Sequence, residues 1–198
     1  MHKKGFLLTI EGIDGAGKTT LAKSLHDKLQ SMQIPVILSK EPTDGPYGKK
    51  IRESAKTKRL PLERELFLFI QDRKEHVEKI IKPALKNGKV VILDRYMYST
   101  IAYQGARGAS VAEIYQEHCD FAIEPDLLVI LDLPIDEALA RIKKTRGSTD
   151  EFEVKSYLKQ VASNYLKVKA PVILYLEATK STEDLAEDVL ENFFNSEY

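Results

Sequence analysis

The chain has 198 residues, of which 30 are Lys or Arg and 30 are Asp or Glu, so its formal charges cancel; Cys119 is its only cysteine. That length fills one α/β domain with a core of its own, and the cancelled charge, with no long basic stripe, argues against duplex nucleic acid or an anionic membrane as a partner. One cysteine excludes an internal disulfide and a thiolate metal cluster, which suits a reducing compartment.

From the amino terminus, Met1-His2-Lys3-Lys4 leads into a short apolar run rather than a signal-peptide core. The longest apolar runs, such as Leu127 to Leu131, are too short to span a bilayer, so a soluble cytoplasmic protein is expected. Phe6 to Ile10, Val36 to Leu38, Val90 to Leu93, Leu127 to Leu131 and Val172 to Leu176 are apolar on both faces and often β-branched, as buried strands are. Helical spacing lies between them: Leu21, Leu25 and Leu29; then Leu66, Phe69, Ile70, Val77, Ile80 and Ile81; then Leu139 and Ile142; then Val161, Tyr165 and Val168. Strands alternating with helices imply a parallel sheet covered on both faces, which binds ligands beyond the carboxyl ends of its strands. The polar stretches 11 to 18, 40 to 49, 94 to 108 and 143 to 151 fall there.

The first of these carries Gly12-Ile13-Asp14-Gly15-Ala16-Gly17-Lys18-Thr19, which fits G-x-x-x-x-G-K-[ST] between a strand and a helix. Glycines let backbone N–H groups converge on phosphate oxygens, the helix adds its positive end, and Lys18 reaches the β and γ phosphates. Thr19 supplies a hydroxyl for Mg²⁺, and Thr20 follows it into the helix. These residues, 12 to 20, are the expected ATP site. No N-K-x-D guanine reader occurs, and no basic nucleic-acid face is visible, so a GTPase switch and a nucleic-acid-stimulated ATPase are discounted.

The third strand ends in Asp94-Arg95-Tyr96. Asp94 can hold a Mg²⁺ water and Arg95 offers a fork for a second phosphate, although such a pair can equally be a simple ion pair. Asp132 also ends a strand but has no basic neighbour of this kind.

The stretches EGIDGAGKTT, KEPTDGPYGKKIRE, LFLFIQDRKEHV, DRYMYSTIAYQG and EPDLLVILDLP stand in an order and spacing that resemble the thymidylate kinase family over nearly the whole chain. The resemblance implies a three-layer α/β/α P-loop kinase fold with a five-stranded parallel sheet and a short mobile lid at about 141 to 153, all in a single domain spanning 1 to 198. It also implies Mg²⁺-dependent transfer of the ATP γ-phosphoryl group to dTMP, and a homodimer whose interface could use the helix from Leu66 to Ile81, a face that could equally be plain core.

The residue roles follow from the same resemblance. Phe69 would stack on thymine, and Arg73, one turn further on, would donate to the O4 carbonyl and disfavour the amino group of cytosine; pattern alone reads the two as a core Phe and a surface Arg. Ser99 and Thr100 would stand near the base, Tyr103 would crowd the sugar 2′ position, Gln104 would line the same pocket, and Glu41-Pro42 would form a wall. Arg95 would bind the acceptor phosphate. Asp14 would accept from the acceptor 3′-hydroxyl or help hold the metal water, where its plain alternative is a turn-former before Gly15.

With Gly15 where some relatives have a loop arginine, the transition-state charge would come from the lid, ARIKKTRGSTDEFE: Arg146 first and Arg141 second, unless this is only a solvated charged loop. The sequence departs from the family pattern at Glu151, Lys40 and Thr43-Asp44. A kinase of another nucleotide or nucleoside and a nucleotide-binding regulatory module are the competing readings.

Overall fold

A computed structural model describes residues 5–146 and 151–196, without the side chains of 145, 146 and 151–153. Its centre is a five-stranded, wholly parallel sheet in the order β2-β3-β1-β4-β5. The strands are β1 (Phe6–Gly12), β2 (Val36–Lys40), β3 (Val90–Asp94), β4 (Leu127–Asp132) and β5 (Ile173–Glu177). The apolar runs read from the sequence therefore all form strands. β1, β3 and β4 are almost entirely buried, because neighbours flank them and helices cover them.

Helix α1 (Lys18–Ser31) follows β1 and buries Leu21, Ala22, Leu25 and Leu29, the face that its four-residue spacing specifies. It packs with α9 (Thr182–Asn195) on the sheet. On the acceptor side α5 (Met97–Ala106) contacts β1 and is surrounded by α3 (Leu62–His76), α6 (Val111–Cys119) and α8 (Glu151–Tyr165), with α7 (Ile135–Arg146) against α8. Asn164 Nδ2 donates to Ala102 O at 3.0 Å and Tyr157 OH to Tyr103 O at 3.0 Å, so α8 is pinned along α5. These layers form the α/β/α arrangement that the sequence implied. Helix α2 (Pro46–Lys56) starts with Pro at its first turn, where the missing N–H costs nothing.

Helix α3 departs from a single apolar stripe. Val77–Ile81 forms one π-helical turn before α4 (Lys82–Lys86). Pro83 lacks an N–H and would clash with the carbonyl one turn back, which favours the wider turn. Val77 and Ile81 stay fully buried, but Ile80, which helical spacing placed on the buried face, is 45% exposed, as is Phe67. Among the described residues no helix is long and apolar enough to cross a membrane.

Candidate active site

The carboxyl ends of β1 and β3 lie side by side, with Ile10 paired to Asp94. The loop leaving β1 turns at Gly12, whose φ of 137° L-residues avoid, and where a Cβ would stand 2.5 Å from Leu131 O. Gly17, at the start of α1, has φ 94° and nothing within 4 Å of where a Cβ would be, so the space ahead of the helix is open to an anion. Lys18 is 5% exposed and its Nζ donates to Ile13 O at 2.7 Å. Burial, followed by the charge of Arg95, pushes its ammonium down to about 7. Asp14, Gly15, Gly17, Lys18, Thr19, Thr20, Asp94, Arg95, Arg141 and Ile142 line a cavity of about 480 Å³.

Thr19 Oγ1 donates to Asp94 Oδ2 at 2.5 Å, while Asp94 Oδ1 is buried with no hydrogen-bond partner among the described residues. A hydroxyl beside an unsatisfied carboxylate oxygen suits Mg²⁺, which takes one or two protein oxygens and fills its shell with phosphate and water. Among the described residues no cluster of three or more His, Cys, Asp or Glu could hold a metal alone. Asp132, the other strand-end acid, is exposed.

A second cavity, of about 320 Å³, is lined by Asp14, Glu41, Pro42, Phe69, Arg73, Arg95, Ser99, Thr100, Tyr103 and Gln104, every position that the sequence assigned to the acceptor, together with Arg59 and Glu65. It meets the phosphate cavity at Asp14 and Arg95, which line both. Arg95 pairs with Asp14 Oδ1 through Nη2, and Tyr103 OH donates to the same oxygen at 3.2 Å. Asp14 therefore ties the phosphate loop to the acceptor helix. A larger cavity of about 520 Å³ lies outside β2, near Leu38, Ile80 and Lys79, and reaches the phosphate site only through Thr19 and Asp94. The exposed Lys40 lines that one.

Arg95 has φ 73°, a left-handed conformation that costs a non-glycine residue about 1–3 kcal/mol and persists where surroundings enforce it. Glu11, fully buried on β1, is the enforcing group. Its Oε1 accepts from the backbone N–H of Tyr96 at 2.8 Å and of Ser99 at 3.0 Å; its Oε2 accepts from Ser99 Oγ at 2.6 Å and Tyr165 OH at 3.0 Å. A carboxylate from a distant strand thus caps α5, the task that an N-cap side chain usually performs. Burial still pushes the Glu11 carboxyl above its ordinary range. Removing the carboxylate in Glu11→Ala orphans the buried Tyr96 N–H and leaves the Ser99 N–H only its bond to Tyr96 O at 3.1 Å, so about 2 kcal/mol of stability should be lost, read as a lowered urea midpoint. Glu11→Gln keeps an acceptor oxygen and should lose about 1 kcal/mol or less; equal losses in both variants would disprove the capping role.

In the acceptor cavity, Arg73 is 1% exposed and held on several sides. Nε donates to Glu41 Oε2 at 2.7 Å, Nη1 to His118 Nε2 at 2.5 Å and Nη2 to Thr100 Oγ1 at 3.1 Å. His76 Nδ1 lies 2.9 Å from the other Glu41 oxygen. Burial opposes the charge of Glu41, but Arg73 and His76 outweigh it and hold the carboxyl below its ordinary range. Gln104 Nε2 donates to Glu65 Oε2 at 3.1 Å, leaving its buried Oε1 without a partner among the described residues. The hydroxyls of Ser99 and Thr100 line the cavity but are engaged by Glu11 and Arg73. Asp72 accepts from Thr43 N at 2.7 Å and Thr43 Oγ1 at 2.6 Å, fixing the turn after β2 that carries Glu41-Pro42.

On the lid side, Arg141 Nη1 donates to Gly15 O and Nη2 to Ala178 O, each at 3.2 Å, bridging the phosphate loop and the turn after β5. The side chain of Arg146, the favoured lid cation, lies outside the described residues, as do 147–150 and the side chains of Glu151 and Glu153. Glu11, Glu65 and His118 went unread in the sequence. A signal existed for Glu65, since 65, 69 and 73 follow one another at four-residue steps on one helix face.

A family model described as thymidylate kinase matches residues 10–189. The chain is 46% identical over 187 residues to the thymidylate kinase of Brachyspira hyodysenteriae, covering 94% of this chain and 92% of the relative. It is 44% identical over 181 residues to that of Xanthomonas campestris, covering 91% and 79%, and 47% identical over 167 residues to that of Xanthomonas oryzae, covering 84% and 73%.

Proposed function

Because this chain belongs to the thymidylate kinase family, we propose that its two joined cavities catalyse transfer of the γ-phosphoryl group of ATP to dTMP, giving ADP and dTDP. The observation carrying this reading is the junction at Asp14 and Arg95, where a phosphate cavity opens into a pocket of about 320 Å³ with an aromatic wall. A phosphate oxygen of dTMP attacks the γ-phosphorus, and the bond to the β–γ bridging oxygen breaks. Such a transfer asks the protein for alignment and charge neutralisation rather than covalent chemistry.

Residues 12 to 20 hold the triphosphate, and Lys18 follows the β and γ oxygens. Thr19 and Asp94 would hold Mg²⁺, which would supply further neutralisation of the phosphate charge. Arg95 binds the acceptor phosphate, and Asp14, already orienting Arg95, accepts from the sugar 3′-hydroxyl. Phe69 offers its face to thymine, Arg73 donates to O4, and Gln104 Oε1, which has no partner among the described residues, is an acceptor for the N3–H. Tyr103 closes the sugar side. Arg141 and Arg146 bring lid charge to the transferring group.

We also assign the enzyme to the cytoplasm, as one catalytic domain, and to a homodimer joined through the helix bearing the exposed Phe67 and Ile80. ADP formation with dTMP, dUMP, dCMP, dGMP, AMP and thymidine offered separately tests the acceptor. Preference for dTMP is expected; turnover independent of any acceptor would overturn the kinase reading, and another preferred acceptor would overturn the base pocket.

A further inference from the structure

His118 belongs to α6, outside both cavities, yet it touches Arg73, the acceptor-pocket guanidinium read above as meeting the base. It is 1% exposed. Its Nδ1 lies 2.6 Å from Ile114 O, an acceptor only, so Nδ1 carries the ring proton and donates. Nε2 is then a lone-pair acceptor, as its contact of 2.5 Å with Arg73 Nη1 requires. Burial, and next the charge of Arg73, push the imidazole down to about 4, so it is neutral at any ordinary assay pH.

Glu41, His118 and Thr100 take donors on three sides of the guanidinium. Glu41 and Thr100 hold the Nε and Nη2 side. The bond from Nη1 to His118, a residue from another element, holds the opposite end and leaves the second Nη1 N–H to face the cavity. The Tyr96 ring, 5.3 Å from the guanidinium carbon, supports the same plane.

We propose that His118 is a positioning residue for base selection, acting as a neutral acceptor that aims Arg73 at the acceptor base so that a carbonyl is matched and an exocyclic amino group is refused. The inference rests on the reading of Arg73 as the group that meets the base carbonyl. Its scale follows from geometry, because a misplacement of about 1 Å in a positioning group can cost up to ~10²-fold in rate. A tilted Arg73 loses affinity for dTMP while meeting dCMP no worse.

The test measures kcat and KM for dTMP and dCMP in the wild-type protein and in His118→Phe, which keeps the ring volume and removes both nitrogens. KM for dTMP should rise about tenfold with kcat changed less than threefold, and the dTMP-to-dCMP ratio of kcat/KM should narrow about tenfold. His118→Gln returns an acceptor near the Nε2 position and should recover most of the ratio, which general loosening of α6 would not do. Should His118→Phe fail to fold, His118→Asn, whose shorter side chain leaves Nη1 without an acceptor, is read in its place.

Arg73→Ala separates the two layers of the argument. A collapsed ratio in Arg73→Ala together with wild-type KM and ratio in His118→Phe would overturn the role of His118 alone. An unchanged ratio in Arg73→Ala would overturn the base reading of Arg73 and the inference with it.

Discussion

Lys18→Ala should lower kcat for ADP formation by about 10²–10³-fold while leaving the fold intact, because preorganised charge at a transferring phosphoryl group is lost from a water-poor site. The side chain is buried against the phosphate loop with Nζ on Ile13 O, so it is held before any ligand arrives. Removing it takes away a buried charge that burial disfavours, so the melting temperature should not fall appreciably. Steady-state kinetics with thermal denaturation checks both halves; a kcat within a few-fold of wild type would remove Lys18 from the transition state.

The depressed titration of Lys18 adds a pH signature. In the free protein the ammonium, pushed down to about 7 by burial and by Arg95, is largely deprotonated at pH 8. Triphosphate oxygens favour the charged form and restore the proton on binding. ATP binding should therefore take up protons at pH 8 and hardly any at pH 5.5, and its affinity should fall as pH rises above 7, by at most about tenfold per unit. Calorimetric titrations in two buffers of different ionisation enthalpy measure the uptake directly. The stability sign agrees: the unfolded chain keeps this proton up to the ordinary lysine range, so between about 7 and 10.5 the free protein gains stability with rising pH from this group.

How far all this could be read in advance depended on the range of the interactions. Strands β1, β3 and β4 announce themselves because a strand buried on both faces must be continuously apolar. The phosphate loop is equally legible, since its glycines, Lys18 and Thr19 act within one turn of chain. Phe69 and Arg73 became legible as a pair only through the family resemblance, although their four-residue spacing was visible. The supporting residues were harder. Glu11 stands in the quoted loop motif, but its partners lie 85 to 154 residues away, and nothing local distinguishes a capping carboxylate from any strand-end acid. His118 meets Arg73 across 45 residues, and its spacing from Ile114 reads only as a helix face. The π-helical turn that exposes Ile80 depends on how Pro83 is accommodated, which a strict helical period cannot register.

Arg95→Ala should lower kcat/KM for dTMP by about 10³-fold, with KM raised and kcat lowered together, because Arg95 stands at the junction of the two cavities. A group contacting only the bound acceptor would raise KM alone; one facing the transferring phosphoryl alone would lower kcat. Asp14 and Ser99 fix its guanidinium from opposite ends of the site, and Glu11 holds the backbone in its left-handed turn through Tyr96 and Ser99. Arg95→Lys should recover less than tenfold, since an ammonium keeps the charge but cannot bridge Asp14, Ser99 and a phosphate in one plane. With the fork gone, the Asp14 carboxylate faces the acceptor phosphate without the Arg95 charge between them, so Asp14→Asn should partly relieve Arg95→Ala even though it impairs the wild-type protein. Steady-state kinetics on the four-protein cycle measures that coupling. Strictly additive losses would mean that Asp14 and Arg95 act separately, and the junction would then be two neighbouring sites rather than one shared by both substrates.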